Sequence, residues 1–338
     1  MRIVIDDKIP YIREVIAQIT NDAVYKKGAD ICSDDVKDAD AMIIRTRTKC
    51  NKELLEGSSV KFIATATIGF DHIDTEYLKE AGITWMNCPG CNSGSVAQYL
   101  RSTLLLLKYE KGEELSKMTL GIVGCGHVGQ KVKAAAEELG MKVLVNDPPR
   151  EDAGEEGEFV SIDEIKKSCD IITFHTPMVK EGKYKTIHIA DHNFFDSLEK
   201  RPYIINTSRG GVVDNSELLE ALRNNKIKDA IIDTWENEPE INLELLEKVF
   251  IGTPHIAGYS ADGKVNADNM VIDGLCKFFN IQNEFKITPP KLTNHIEFSS
   301  NFEERCLQLY NPLVDSKKLK SAPDKFEELR GNYPIRRE

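Results

Sequence analysis

The run Leu120-Gly-Ile-Val-Gly124-Cys-Gly126-His-Val-Gly129 constrains this chain more than any other stretch. An apolar strand, Leu120–Val123, leads into Gly-x-Gly-x-x-Gly, and a helix, Gln130–Leu139, follows. In that context each glycine has a task. Gly124 permits a tight turn, Gly126 lets the backbone approach a pyrophosphate, and Gly129 lets helix and strand pack closely. The helix N-terminus adds unpaired N–H groups and a positive dipole end. Asp147 stands eighteen residues beyond Gly129, at the end of the next strand, Lys142–Asn146. A carboxylate there accepts hydrogen bonds from the ribose hydroxyls of adenosine and repels a 2′-phosphate, so NAD is expected over NADP. Arg150 is close enough to soften that preference.

Around this motif the chain alternates strand and helix from Leu120 to Gly252, which predicts a doubly wound parallel Rossmann sheet of the α/β class. The first 90 residues read as a smaller α/β unit, with strands at Arg2–Ile5, Ala41–Ile44 and Phe62–Ala66 and helices at Tyr11–Ile19 and Thr75–Ala81. An apolar helix, Ser93–Lys108, links the two, and a second helix, Asp262–Phe279, returns the chain after His255. The expected layout is a flavodoxin-like substrate domain, residues 1–92 and 262–290, interrupted by a cofactor domain, residues 93–261, with the cleft between them. Residues 291–338 are rich in charge and carry scattered aromatics (Phe298, Phe302, Tyr310, Phe326, Tyr333). They read as a short appended module.

Charge and composition narrow the function. A chain of 338 residues with net charge −11 has no general electrostatic grip on nucleic acid or anionic lipid, so neither is expected as a partner. No apolar run reaches the roughly 18 residues of a membrane span, and the N-terminus lacks a signal-peptide layout. The eight cysteines therefore read as free thiols of a cytoplasmic protein. Cys88-Pro-Gly-Cys91 is read as a turn with two incidental thiols, since no second CxxC accompanies it. Glu151–Glu164 holds seven acidic residues without the ligand rhythm of a calcium loop, and is read as solvated. No metal site is expected.

Three polar motifs end successive strands of the second unit, where open α/β sheets place their ligands. They are Asn206-Thr-Ser-Arg209, Asp233-Thr-Trp-Glu-Asn-Glu238-Pro and Thr253-Pro-His255-Ile-Ala-Gly258-Tyr259. Oxidation of a 2-hydroxy acid needs these residue types. A histidine takes the hydroxyl proton near neutral pH, a carboxylate orients its ring, and a guanidinium grips the substrate carboxylate. His255 is the expected acid/base, Glu238 its partner and Arg209 the clamp. Arg45, Arg47 and Lys49 alternate by two; extended backbone would point them to one side, toward a substrate phosphate.

With these motifs assembled, the chain resembles the NAD-dependent D-isomer 2-hydroxyacid dehydrogenase family over about residues 1–290. The carrying stretches are Arg45-Thr-Arg-Thr-Lys49, Thr65–His72, Pro89–Asn92, Asn146-Asp-Pro-Pro-Arg150, Phe174-His-Thr-Pro177, Val213-Asp-Asn215 and Gly252–Tyr259. The resemblance implies substrate contacts at Thr46, Thr67 and Tyr259. It implies NAD contacts at His127, Val128, Thr176, Thr207, Ser208, Arg209, Asp233 and Gly258. The narrower runs, His255–Tyr259 and Asp147–Arg150, imply a phosphorylated hydroxy acid as substrate: 4-phospho-D-erythronate, oxidised to its 2-oxo acid on the route to pyridoxal 5′-phosphate. The resemblance further implies a homodimer built through an α+β C-terminal module, here shorter than usual. Two other readings remain: a dehydrogenase for another D-2-hydroxy acid such as phosphoglycerate, and an NAD(H)-sensing, corepressor-like binding protein.

Overall fold

The structure, a computed structural model, describes residues 1–291 and 299–338, so Phe298 lies outside the described residues. In chain order the first elements are β1 (Arg2–Asp6), α1 (Arg13–Ile19), β2 (Asp22–Lys26), α2 (Ser33–Val36), β3 (Ala41–Ile44), α3 (Lys52–Leu55), β4 (Phe62–Thr65), α4 (Thr75–Glu80), β5 (Thr84–Met86) and α5 (Ser93–Lys111). Then follow β6 (Thr119–Val123), α6 (His127–Glu138), β7 (Lys142–Asn146), α7 (Pro148–Asp152), α8 (Ile162–Ser168), β8 (Ile171–Phe174), α9 (His192–Asp196), β9 (Tyr203–Asn206), α10 (Asn215–Arg223), β10 (Asp229–Ile232), α11 (Leu243–Lys248) and β11 (Ile251–Gly252). Last come α12 (Ala261–Phe278), α13 (Phe302–Leu309), α14 (Pro312–Ser321) and α15 (Phe326–Gly331).

The described chain divides into two units. One comprises Met1–Asn92, residues 260–291 and Arg337; the other comprises Ser93–Tyr259, residues 299–336 and Glu338. The first contains a parallel sheet in the order β2-β1-β3-β4-β5, the flavodoxin-like arrangement. Its central strands β3 and β4 are buried along their whole length, as parallel strands covered on both faces must be. One face packs on Ile12, Ile16, Val271 and Leu275 from α1 and its flank and from α12; the other packs on Val36, Leu55 and Leu78.

The second unit contains a parallel sheet in the order β11-β10-β9-β8-β6-β7. A single bridge from Val145 to Phe159 extends it beyond β7. The chain runs outward from β6 in both directions, so the β6/β8 boundary is the topological switch point, where such sheets bind their ligands. The acidic stretch Glu151–Glu164 begins in α7, ends in α8, and is exposed through residue 158.

The C-terminal segment departs from expectation. Residues 299–338 contain α13, α14 and α15 and no strand among the described residues, where an α+β module was expected. The local reason is legible: Asn311 caps the Leu313 N–H and Pro312 opens α14, a strong helix start. Two of the aromatic residues turn inward, for Phe326 is buried with Leu319 in one core of the second unit and Tyr310 in the other, while Phe302 is exposed.

Phe174 ends β8 fully buried, its ring 5.9 Å from that of Phe194. Phe174→Ala is expected to destabilise this unit by about 3–5 kcal/mol, read as a lowered urea midpoint by fluorescence.

Candidate active site

The glycine loop has the shape its sequence implies. Gly124 sits at φ +87°, and a Cβ there would lie 2.7 Å from the Thr176 methyl and 2.9 Å from the His175 carbonyl. A Cβ on Gly129 would lie 2.3 Å from the Gly124 carbonyl, while one on Gly126 would meet nothing within 4 Å. The loop is thus tight against β8 and α6 but open at Gly126, where a pyrophosphate would approach. Gly126 is the N-cap of α6 and no side chain caps that helix, so the first-turn N–H groups of His127, Val128 and Gly129 suit an anion. The Thr176 and Thr234 hydroxyls are buried without a hydrogen-bond partner. Orphaned hydroxyls at the strand ends are costly in an unliganded fold and natural in one that receives a polar ligand. The cradle fits a dinucleotide.

Asp147, buried, accepts from the Cys125 N–H at 2.7 Å and the Arg150 N–H at 3.3 Å. Arg150 donates to the Cys125 carbonyl at 2.5 Å and pairs with Glu155 at 2.8 Å. Its charge is therefore already countered at this rim. That leaves the Asp147 carboxylate uncompensated by Arg150 at this rim.

Arg209, Glu238 and His255 follow β9, β10 and β11, adjacent strands of one sheet. His255 has φ +56° and its N–H donates to the Asp233 carbonyl at 2.8 Å. Its Nδ1 meets Glu238 Oε2 at 2.8 Å, and Glu238 Oε1 accepts from the Trp235 N–H at 2.8 Å. An ionised carboxylate only accepts, so Nδ1 carries the proton and Nε2 is left as the basic nitrogen. Burial pushes the Glu238 carboxyl up, but the His255 hydrogen bond and charge, the Trp235 N–H and Arg330 outweigh it and hold it below the usual value. The Arg209 guanidinium contacts the Ser208 carbonyl at 2.8 Å, and the Asn206 amide donates to the Arg209 carbonyl at 2.9 Å. A Cβ on Gly210 would lie 1.8 Å from the Trp235 carbonyl. The Arg209 loop and the Glu238 loop are therefore in direct backbone contact.

Asp233 is buried beneath them and accepts from the Thr253 hydroxyl and from the Ile256 and Ala257 N–H groups at 2.6–2.9 Å. The loop it fixes leads on to Gly258 and Tyr259. The Thr207 hydroxyl lies 3.4 Å from His175 Nδ1, and both the N–H and hydroxyl of Ser208 bond the Asn206 side chain.

In the other unit, Arg45, Thr46 and Arg47 follow β3, and Thr67 follows the adjacent β4. The backbone at 45–48 is not extended: the Thr48 N–H bonds the Arg45 carbonyl at 3.3 Å, closing a turn. A turn abolishes the two-residue alternation, so the extended-backbone argument that Arg45, Arg47 and Lys49 share a side and meet a phosphate falls. Arg45 instead reaches the Lys8 carbonyl at 3.3 Å. The Thr67 hydroxyl donates to the Gly69 carbonyl at 2.8 Å and lies 2.6 Å from that of Thr65. Cys88 and Cys91 are buried thiols outside any disulfide, and burial pushes the Cys88 thiol well up, away from the reactive thiolate.

Two features escaped the sequence reading. His188, at φ +50°, holds Glu236 through Nε2 at 2.7 Å and donates its N–H to the Gly211 carbonyl, bracing the loop after Arg209. Glu236 also accepts from the Asn215 N–H at 2.8 Å. The second is Arg330, which the C-terminal segment brings to Tyr259. A lone histidine in a loop and an arginine on a surface-patterned helix give no sequence signal of such contacts.

The family model for the D-isomer specific 2-hydroxyacid dehydrogenase NAD binding domain matches residues 96–257. The erythronate-4-phosphate dehydrogenase of Bacteroides thetaiotaomicron is 58% identical over 338 residues, covering 100% of this chain and 97% of that protein. The enzyme of the same name from Escherichia coli O157:H7 is 40% identical, covering 100% and 92%. Among solved structures, the NAD⁺-bound 3-phosphoglycerate dehydrogenase of Entamoeba histolytica is 30% identical with TM-score 0.69, covering 86% of this chain and 99% of that one. The D-lactate dehydrogenase of Aquifex aeolicus, complexed with NAD and lactic acid, is 27% identical with TM-score 0.70, covering 82% and 96%. The glycine cradle thus lies in an NAD-binding domain. The chain belongs to the erythronate-4-phosphate dehydrogenases, within the D-isomer specific 2-hydroxyacid dehydrogenase family.

Proposed function

We propose that this protein oxidises 4-phospho-D-erythronate at carbon 2, yielding 3-hydroxy-2-oxo-4-phosphooxybutanoate, a step toward pyridoxal 5′-phosphate. The observation that carries the reading is the 2.8 Å pair between His255 Nδ1 and Glu238, set beside Arg209 in a chain 58% identical throughout to an enzyme of that name. NAD, when bound, supplies the hydride acceptor. His255 Nε2 takes the proton of the 2-hydroxyl as the hydride leaves the same carbon, so a C=O bond forms while the O–H and C–H bonds break. Glu238 holds the ring in the tautomer that exposes Nε2 and stabilises the imidazolium that results. Arg209 binds the substrate carboxylate through paired N–H donors and draws charge from the forming carbonyl. The cradle Gly124, Gly126, His127, Val128 and Gly129 holds the pyrophosphate, and Asp147 holds the adenosine ribose. Thr176, Thr207, Ser208, Asp233 and Gly258 line the rest of the cofactor's path. Thr46, Thr67 and Tyr259 contact the substrate.

Among the described residues no helix is long and apolar enough to cross a membrane. The free cysteines fit a reducing compartment, and the reading includes a cytoplasmic homodimer.

The deciding experiment is NAD reduction with 4-phospho-D-erythronate and with 3-phosphoglycerate, followed as NADH formation. The first acid should be turned over and the second poorly or not at all; the reverse order refutes the reading. His255→Ala should lower kcat by roughly 10²- to 10⁴-fold and leave NAD affinity by calorimetry unchanged. A sensor protein would show no turnover to lose.

Asp147→Ser should raise the KM for NAD and narrow its margin over NADP, measured as the ratio of kcat/KM values. Glu238 gives a pH prediction. Its folded carboxyl is held below the unfolded value of about 4.3, so its stabilisation is present above that value and is lost as pH falls through the lower, folded one. The stability advantage of the natural protein over Glu238→Gln should persist on acidification to about pH 4.5 and vanish only below it, as read by urea unfolding at a series of pH values.

A further inference from the structure

The C-terminal segment is part of the second unit's fabric, with Leu319 and Phe326 in one core and Tyr310 in the other. That packing delivers Arg330, near the end of α15, to the loop that carries His255. The Arg330 guanidinium carbon lies 5.9 Å from the centre of the Tyr259 ring, four residues past His255. Tyr333 packs edge-on against the same ring at 6.2 Å. The Arg330 side chain is only 21% exposed, and its ion pair with Glu327 is long, at 3.9 Å. Its Nε is buried with no hydrogen-bond partner. Both oxygens of the nearby Glu238 already accept hydrogen bonds, from His255 and from the Trp235 N–H.

A guanidinium presents five N–H donors and stays charged at every working pH. Enclosing that charge without a close anion is expensive. Here it is enclosed beside the His255–Glu238 pair, with Tyr259 as its hydrogen-bond partner, Glu327 only at 3.9 Å and its Nε unpartnered. A ligand that brings an anionic, many-acceptor group into the site would satisfy it, and a phosphate is such a group. The cation's influence reaches the catalytic pair, since it hydrogen-bonds Tyr259 and helps hold the Glu238 carboxyl down.

We infer that Arg330 is a substrate-binding, specificity-determining residue: with the Tyr259 hydroxyl it receives the terminal phosphate of the hydroxy acid, which makes the C-terminal segment part of the active site. The inference rests on the reading above that the substrate carries a phosphate.

The test compares the natural full-length enzyme with Arg330→Gln and Arg330→Lys, using 4-phospho-D-erythronate and unphosphorylated D-erythronate, each with NAD. Arg330→Gln should raise the KM for the phosphorylated acid by roughly 10- to 100-fold. It should leave the KM for NAD within about twofold and cost the unphosphorylated acid far less in kcat/KM than the phosphorylated one; Lys should recover part of the loss. Inhibition by inorganic phosphate, competitive with the phosphorylated acid, should weaken in parallel. Equal losses on both acids, or undiminished phosphate inhibition, overturn the assignment and leave the substrate reading standing. A natural enzyme that shows no preference for the phosphorylated acid overturns both. If the Gln variant does not fold, the Lys variant decides on the same KM split.

Discussion

The buried carboxylate of Asp233 is the fixed point of the loop that carries His255. It sits at the end of β10 and ties down the Thr253 hydroxyl and the N–H groups of Ile256 and Ala257. Burial pushes its carboxyl up, while His255 and these donors pull the other way. Tyr99 of α5, fully buried, backs Thr253 with a hydrogen bond at 2.9 Å. The Ala257 carbonyl on the far side is held by Arg336 at 2.6 Å. A loop bonded through both faces of its peptide groups can keep His255 at φ +56°, a conformation that costs of order 1 kcal/mol or more when unsupported. That conformation is what brings Nδ1 to Glu238.

The same loop explains why the site spans three strands rather than one. Glu238 reaches His255 only because the turn after β10 folds back, with the Trp235 N–H on one carboxylate oxygen and the Trp235 indole N–H on the Thr253 carbonyl at 2.9 Å. Gly210 then has to be glycine, since any side chain would strike the Trp235 carbonyl. The Arg209 loop is thereby docked on the Glu238 loop, and His188 and Glu236 brace its far end. Three polar residues that look independent in sequence are one mechanical assembly.

What could be read without coordinates follows from burial. Central strands such as Ala41–Ile44, Ile171–Phe174 and Tyr203–Asn206 are covered on both faces, so they appear as apolar runs. The edge strands β2 and β5 are half exposed, with Asp22, Tyr25 and Lys26 or Thr84 in place of aliphatic residues, and they leave no such trace. The glycine loop was legible because its close backbone approaches demand glycine at fixed spacing. The Arg45–Lys49 alternation misled because period two means one face only in a strand, and this stretch turns. The approach of Arg330 to Tyr259 was invisible because no motif lies near Arg330 in sequence.

That last gap bears on the molecule's charge. A net charge of −11 leaves the surface hostile to anions, so any anion the protein takes must be met by cations set among fixed partners. Arg209 rests half-buried at a strand end, and Arg330 and Arg336 are enclosed against Tyr259 and Tyr310. Enclosure changes what such a cation can do. A guanidinium on a flexible, solvated side chain loses rotamer freedom when it binds and gains little in high dielectric, whereas one already held by aromatic rings loses little and acts through a low dielectric. The price is a fold that must carry buried charge, and the C-terminal helices supply the packing that makes this tolerable. The segment beyond residue 299 thus steadies the loop that carries His255 and sets charge beside it by the same contacts. Removing it would disturb recognition and architecture together, whereas changing the charge of Arg330 alone separates the two.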